Sequence, residues 1–266
     1  MKSKACVYLL GTGPGDPDLL TVKALRLMQQ ADVVVYDRLV SDEILQLIPA
    51  GTTRIYVGKR SGRHTLVQDE INALLVNLAE TERTIVRLKG GDPFIFGRGS
   101  EEALYLAKHG VRFEVIPGVT AASACASYAG IPLTHRGLAN SVQFVSGHAQ
   151  NNQPLDLDWA SLADENRTLV IYMGVANIGY ISRRLIRAGL PAGSPVAAIE
   201  NGASQRQRCL VCELSQLQQR VIEEDLKAPV VFVIGRVVSL ASELKWFEHG
   251  FAMDDESELH AQHYPA

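Results

Sequence analysis

Apolar and polar residues fall along this chain in short alternating blocks. Ala5–Leu10 is a brief apolar run that stops at Gly11, and from Thr21 apolar side chains recur at helical spacing through Leu25 and Met28. Asp32–Tyr36 is almost continuously apolar, the pattern of a strand covered on both faces. Ser41 opens a second helical block that runs to Leu47, and Arg54–Val57 reads as a strand ending at Gly58-Lys59. Val67–Ala79 carries apolar residues at 67, 71, 74, 75 and 78, which is helical spacing. Arg83–Leu88 is an apolar strand. A helix is expected from Ser100 to His109, with Ser100 as its cap and Glu101-Glu102 as an acidic first turn. Arg112–Ile116 is the next strand. Strand and helix in turn predict a parallel sheet covered by helices.

Pro117-Gly118 interrupts the pattern, and the small residues of Val119–Tyr128 predict a helix packed closely on a neighbour. Strands follow at Ser141–Ser146, Thr168–Met173, Pro195–Glu200, Gln207–Cys212 and Pro229–Gly235, with helices near Ile178–Ala188, Leu214–Glu224 and Ser239–Phe247. The strands flanking Glu200-Asn201-Gly202 suggest a hairpin, so the second sheet is expected to be mixed. The expected division is an N-terminal α/β domain over 1–117, a C-terminal α/β domain over 118–248 and a polar tail over 249–266. No internal repeat is present.

Composition narrows the class. The chain has 266 residues, 47% hydrophobic and 21% charged, as in ordinary soluble enzymes. A net charge of −3 gives no bulk attraction to nucleic acid or to an anionic membrane. No apolar run reaches the ~18 residues of a spanning helix, and Ala5–Leu10 is too short for a secretory signal core, so a cytoplasmic protein is expected. Cys6 and Cys125 lie in apolar stretches. Cys209 and Cys212 sit three apart in a predicted strand, where side chains point to opposite faces. No histidine accompanies them, so no metal site is expected.

The densest candidate chemistry lies in Leu88–Glu102, LKGGDPFIFGRGSEE. Gly90 and Gly91 let a ligand approach bare main chain, Asp92 supplies a carboxylate, Phe94-Ile95-Phe96 an apolar wall and Arg98 a guanidinium. A second glycine-rich loop, Gly11-Thr-Gly-Pro-Gly-Asp-Pro17, invites a dinucleotide reading, with Asp37 at the distance of a ribose-binding acid. The spacing fails, because the third glycine of GxGxxG would fall at Asp16. Pro14 offers no N–H to a phosphate, and Asp16 and Asp18 would repel one. Such a loop suits a ligand with a positive centre and no phosphate. Arg38, Lys59, Arg60, Arg63 and Arg98 gather cations on loops at the carboxyl ends of strands, which implies an anionic ligand. No aromatic residues interleave with them as a nucleic-acid surface would require.

GGDPFIFGRGSEE, GTGPGDPDLLT, YDRLV, VGKR and PGVTAASA resemble the matching segments of the tetrapyrrole methylases, a likeness that runs from Val7 to about Ala241. The resemblance implies an α/β fold of two domains, the first sheet largely parallel and the second mixed, with the cofactor cleft between them. It implies S-adenosylmethionine as methyl donor, S-adenosylhomocysteine as product and no metal. By the same resemblance Pro14, Gly90, Gly91, Asp92, Ile95, Thr120, Ala121, Met173 and Gly202 line the cofactor. Asp37 is the expected proton acceptor, Lys59 the expected proton donor, and Arg38, Arg63 and Arg98 the holders of substrate carboxylates.

YDRLV, VGKR and FGRGSEE favour the branch of the family that methylates uroporphyrinogen III at two ring carbons, giving precorrin-2 through precorrin-1. The rival substrate is a later corrinoid precursor. A binding module for an acidic tetrapyrrole and a nicotinamide-dependent oxidoreductase are the readings from other classes. Homodimers are expected from the family, and the length leaves no room for an added dehydrogenase and chelatase module, so methylation alone is expected.

Overall fold

The short apolar blocks form strands and the longer periodic ones pack across them as helices. The computed structural model describes residues 6–58, 66–81, 83–148 and 155–247. In its first half, strands β1 (Cys6–Gly11), β2 (Val33–Tyr36), β3 (Thr53–Tyr56), β4 (Thr84–Lys89) and β5 (Arg112–Ile116) alternate with helices α1 (Val22–Gln29), α2 (Asp42–Gln46), α3 (Gln68–Ala79) and α4 (Gly99–Lys108). The strands pair in the order β3-β2-β4-β1-β5 and every pair is parallel. Helices cover both faces. Leu10, Val34, Val86 and Leu88 pack on one side with Ala24, Leu27, Met28 and Ile44. Leu9, Val35 and Ile85 pack on the other with Ile71, Leu75 and Leu106. Fully buried side chains such as Leu9 and Leu10 each contribute about 1.5–3 kcal/mol of transfer free energy.

Helix starts follow their capping chemistry. Thr21 Oγ1 accepts from Ala24 N at 3.1 Å and Ser41 Oγ from Ile44 N at 3.3 Å, each satisfying one orphan donor of a first turn. The expected cap at Ser100 is corrected. Helix α4 begins one residue earlier, with Arg98 at the N-cap in a left-handed conformation, φ 58°. The glycines on either side of Arg98 explain this. Cβ atoms on Gly97 and Gly99 would lie 2.8 and 2.5 Å from the Pro93 carbonyl oxygen, so the turn folds tightly back on Pro93.

The second half begins with helix α5 (Ala121–Tyr128) and continues with β6 (Ser141–Ser146), α6 (Trp159–Leu162), β7 (Arg167–Tyr172), α7 (Ile178–Arg187), β8 (Pro195–Glu200), β9 (Arg208–Glu213), α8 (Leu217–Glu223), β10 (Val230–Ile234) and α9 (Ala241–Leu244). The sheet order is β6-β7-β10-β8-β9, parallel only at β6–β7. The β8–β9 hairpin stands where Glu200-Asn201-Gly202 placed it. Central β10 is buried at all five positions and edge strand β9 is mostly exposed, matching VVFVI against RCLVCE. The helix expected over Ser239–Phe247 is shorter, a 3-10 turn over Arg236–Leu240 followed by α9. No helix among the described residues is long and apolar enough to cross a membrane.

Register brings the loops together. Gly11 pairs with Lys89, and Leu10 with Ile116, so β1, β4 and β5 end at one level. The chains leaving them emerge side by side at the carboxyl edge, where open α/β sheets hold ligands.

Candidate active site

Three main chains meet where those strands end. Thr12 N donates to Lys89 O at 2.9 Å, and Gly13 and Gly91 exchange hydrogen bonds at 3.1 and 2.7 Å. A Cβ on Gly118 would lie 2.4 Å from Gly91 O and 2.7 Å from the Gly11 carbonyl carbon. One on Gly11 would lie 2.6 Å from Gly91 O. No side chain fits in that junction. Asp92 fastens it from the edge, its Oδ2 accepting from Gly118 N at 3.1 Å and its Oδ1 from Phe94 N at 2.8 Å. Gly91 takes φ 69° and its outer face opens toward Ala121 N, 3.7 Å from a built Cβ.

The second half of the chain supplies the facing wall. Tyr172, at the end of β7, bonds Thr120 Oγ1 at 2.6 Å and accepts from Ala122 N at 2.8 Å. Thr120 therefore spends its hydroxyl on Tyr172 and makes no side-chain cap bond to α5. Burial pushes the Tyr172 phenol up while its two hydrogen bonds pull the other way, and it stays protonated at neutral pH. Phe96 packs against the same ring, tilted at 56° with centroids 5.0 Å apart. Next along the chain, Met173 is exposed and held at φ 54°. Gly202 packs on α5, where a Cβ would strike Cys125 Sγ at 2.4 Å. Its neighbour Ala203 lies near Gly15, where a built Cβ would sit 3.4 Å from Ala203 O, in ordinary contact. A last bridge crosses from Tyr128 OH to Asp16 Oδ2 at 2.6 Å.

The expected cofactor residues lie on the loops that meet here. Pro14, Gly90, Asp92, Ile95, Thr120 and Ala121 are half-buried, Gly91 and Gly202 are buried, and Met173 is exposed. At the Gly11–Gly91–Gly118 junction the main chain is bare of side chains, and Pro14 and Asp16 beside it disfavour a phosphate, which fits a sulfonium ligand such as S-adenosylmethionine.

Beside it stands Asp37. Leu39 N donates to its Oδ1 at 3.0 Å and Arg87 Nη2 to its Oδ2 at 2.8 Å. The Asp37 loop abuts the glycine loop, since a Cβ on Gly90 would lie 2.8 Å from Leu39 Cβ. Ser41 Oγ donates to Gly15 O at 2.7 Å and ties the same loop to the first glycine turn. Behind Asp37 lies a buried charge cluster that the sequence reading missed. Glu102, fully buried, accepts at Oε1 from Lys89 Nζ at 2.9 Å, Arg87 Nε at 3.3 Å and Gln68 Nε2 at 3.3 Å. Burial, and then the Arg87 charge, hold the Lys89 ammonium below its ordinary pKa, against the pull of Glu102. The signal was present as two cations two residues apart in an otherwise apolar strand. That spacing puts both on one face.

The expected substrate cations divide. Arg38 is exposed and no ion pair engages it among the described residues. Arg98 is forked onto Glu101, Nε to Oε1 at 2.8 Å and Nη2 to Oε2 at 2.6 Å. That pair holds the Glu101 carboxyl below the usual carboxylate range, and it is half-exposed, so an incoming carboxylate would compete with Glu101 in water. Lys59, Arg60 and Arg63 lie outside the described residues. Cys209 and Cys212 are free thiols on edge strand β9. No cluster of three or more potential metal ligands occurs among the described residues.

Similarity to known proteins is extensive. A family model for Tetrapyrrole (Corrin/Porphyrin) Methylases matches residues 6–218. The chain is 55% identical over 242 residues to a siroheme synthase of Azotobacter vinelandii, covering 91% of this chain and 52% of that protein. It spans about half the length of the curated relatives it matches. Among solved structures, uroporphyrin-III C-methyl transferase from Thermus thermophilus, complexed with S-adenosyl homocysteine, is 40% identical with a TM-score of 0.75, covering 87% of this chain and 92% of that one. A cobalt precorrin-4 methyltransferase from cobalamin biosynthesis superposes with a TM-score of 0.78 at 26% identity, covering 88% and 95%.

Proposed function

The chain belongs to the tetrapyrrole (corrin/porphyrin) methylases, and on that premise we propose that it methylates uroporphyrinogen III with S-adenosylmethionine. Two ring carbons receive methyl groups, giving precorrin-2 through precorrin-1, on the route to sirohaem. The observation that carries this reading is the side-chain-free junction of Gly11, Gly91 and Gly118, set beside an oriented Asp37. The likeness to the Thermus thermophilus enzyme and to the siroheme synthases supports the choice of substrate and pathway.

The bound S-adenosylmethionine supplies an electrophilic methyl on sulfur. Pro14, Gly90, Gly91, Asp92, Ile95, Thr120, Ala121, Met173 and Gly202 form its berth, in the crevice between the proposed domains 1–117 and 118–248. The methylated ring carbon, already fully substituted, becomes quaternary. Asp37 takes the proton that the resulting cation loses from elsewhere on the macrocycle, and its charge stabilises that cation beforehand. Lys59 is the proposed proton donor. Arg38, Arg63 and Arg98 receive acidic substituents of the macrocycle, for which guanidinium forks are suited. Positioning carries most of the rate, since methyl transfer needs the reacting atoms at about 3–3.5 Å. The family likeness also supports a homodimer working in the cytoplasm.

Anaerobic incubation with uroporphyrinogen III and methyl-labelled donor tests the reading. Two labels per macrocycle are expected. No label on uroporphyrinogen III, with label entering a later corrinoid precursor, would assign the chain to the rival substrate.

A further inference from the structure

Strand β4 buries two cations that the reaction does not call for. Arg87 and Lys89 are 3% and 4% exposed, and burying such groups is costly unless their partners are held in good geometry. Both are bound by Glu102 Oε1, carried in on the first turn of α4, while Glu102 Oε2 is buried with no partner. The cluster could serve only to bolt α4 to the sheet. The Arg87 geometry says more. Each of its three nitrogens has its own acceptor: Nε on Glu102, Nη1 on Leu88 O at 2.6 Å, and Nη2 on Asp37 Oδ2 at 2.8 Å. A planar guanidinium fixed at two corners has one direction left for the third. Register explains the reach, since Arg87 lies opposite Val35 on β2, two residues before Asp37. The Asp37 side chain remains 27% exposed at the crevice while the group that aims it is buried.

We propose that Arg87, locked by Glu102, is a positioning residue that sets the orientation of the Asp37 carboxylate toward the substrate. The inference rests on the reading of Asp37 as proton acceptor. Leu39 N holds one carboxylate oxygen and Arg87 the other, so the plane of the group is fixed before substrate arrives.

The test is a double-mutant cycle on Arg87→Gln and Asp37→Asn. It measures kcat and KM with uroporphyrinogen III, S-adenosylhomocysteine affinity by calorimetry and folding by circular dichroism. Arg87→Gln is expected to keep S-adenosylhomocysteine affinity within about twofold, the scatter of independent sites. Its kcat should fall by about a hundredfold, the scale of an ångström's misplacement. Added to Asp37→Asn, it should lower the residual turnover no further, and Arg87→Lys should restore part of the loss. Equal losses from Arg87→Gln in both backgrounds would overturn the proposal and leave the Asp37 reading standing, as would wild-type turnover in Arg87→Gln. Wild-type turnover in Asp37→Asn would remove both. If Arg87→Gln does not fold, Glu102→Gln enters the same cycle. It frees Arg87 while keeping its charge, and it must show the same dependence on Asp37.

Discussion

At Gly11, Gly91 and Gly118 the protein draws three main chains together by leaving side chains out. Behind Asp37 it does the reverse, burying Arg87, Lys89 and Glu102 to hold one carboxylate. The first arrangement is steric, and a single methyl group breaks it. The second is electrostatic and directional, and it responds to charge and hydrogen-bond geometry more than to volume. Under the proposed function, the difference separates two tasks. Holding the donor requires close approach of backbone, whereas accepting a proton requires a group aimed in advance.

Four substitutions break or sharpen that contrast. Asp37→Ala should leave S-adenosylhomocysteine affinity unchanged and lower turnover by about 10²–10⁴, the usual range for a lost general base, read as labelled methyl transfer beside calorimetry. Gly118→Ala should do the opposite. Its Cβ would meet Gly91 O at 2.4 Å, and forcing the backbones apart costs about 3 kcal/mol, or roughly a hundredfold in donor affinity by titration. Asp92→Ala frees Gly118 N and Phe94 N and should weaken the same binding by about tenfold, at ~1.5 kcal/mol for a charge-assisted bond.

Tyr128→Phe should have the smallest effect. Loss of the bond to Asp16 costs about 1 kcal/mol, a melting shift of about 2–4 °C. Burial, then the Asp16 bond and charge, push the Tyr128 phenol above its ordinary 10.0. A raised pKa means the contribution is complete below pH 10 and is lost as pH rises through the folded value. The melting gap between wild type and variant should therefore hold constant up to about pH 10 and close above it.

Much of this was legible in the chain. The β/α alternation, the mixed second sheet and the hairpin after Glu200 follow from hydrophobic period and turn residues, which act locally. The loops that meet at Gly11, Gly91 and Gly118 stood out through motif resemblance. Close packing of Gly11 on Gly118, more than a hundred positions apart, leaves no local trace beyond the glycines themselves. Glu102 shows the limit most clearly. At the start of a helix it reads as a solvated acid complementing the dipole, yet it is fully buried, because Lys89 and Arg87 reach it from a strand that looked apolar. Arg98, expected to hold a substrate carboxylate, is forked onto Glu101. Its left-handed backbone, set by the flanking glycines, turns it there.

Gly13 and Gly91 lend each other both of their amide protons, so the exit turns of β1 and β4 share a rung although seventy-odd residues separate them. Neither turn can breathe alone. Deuterium uptake at these two amides should proceed at one common rate, and a bound donor should slow both together.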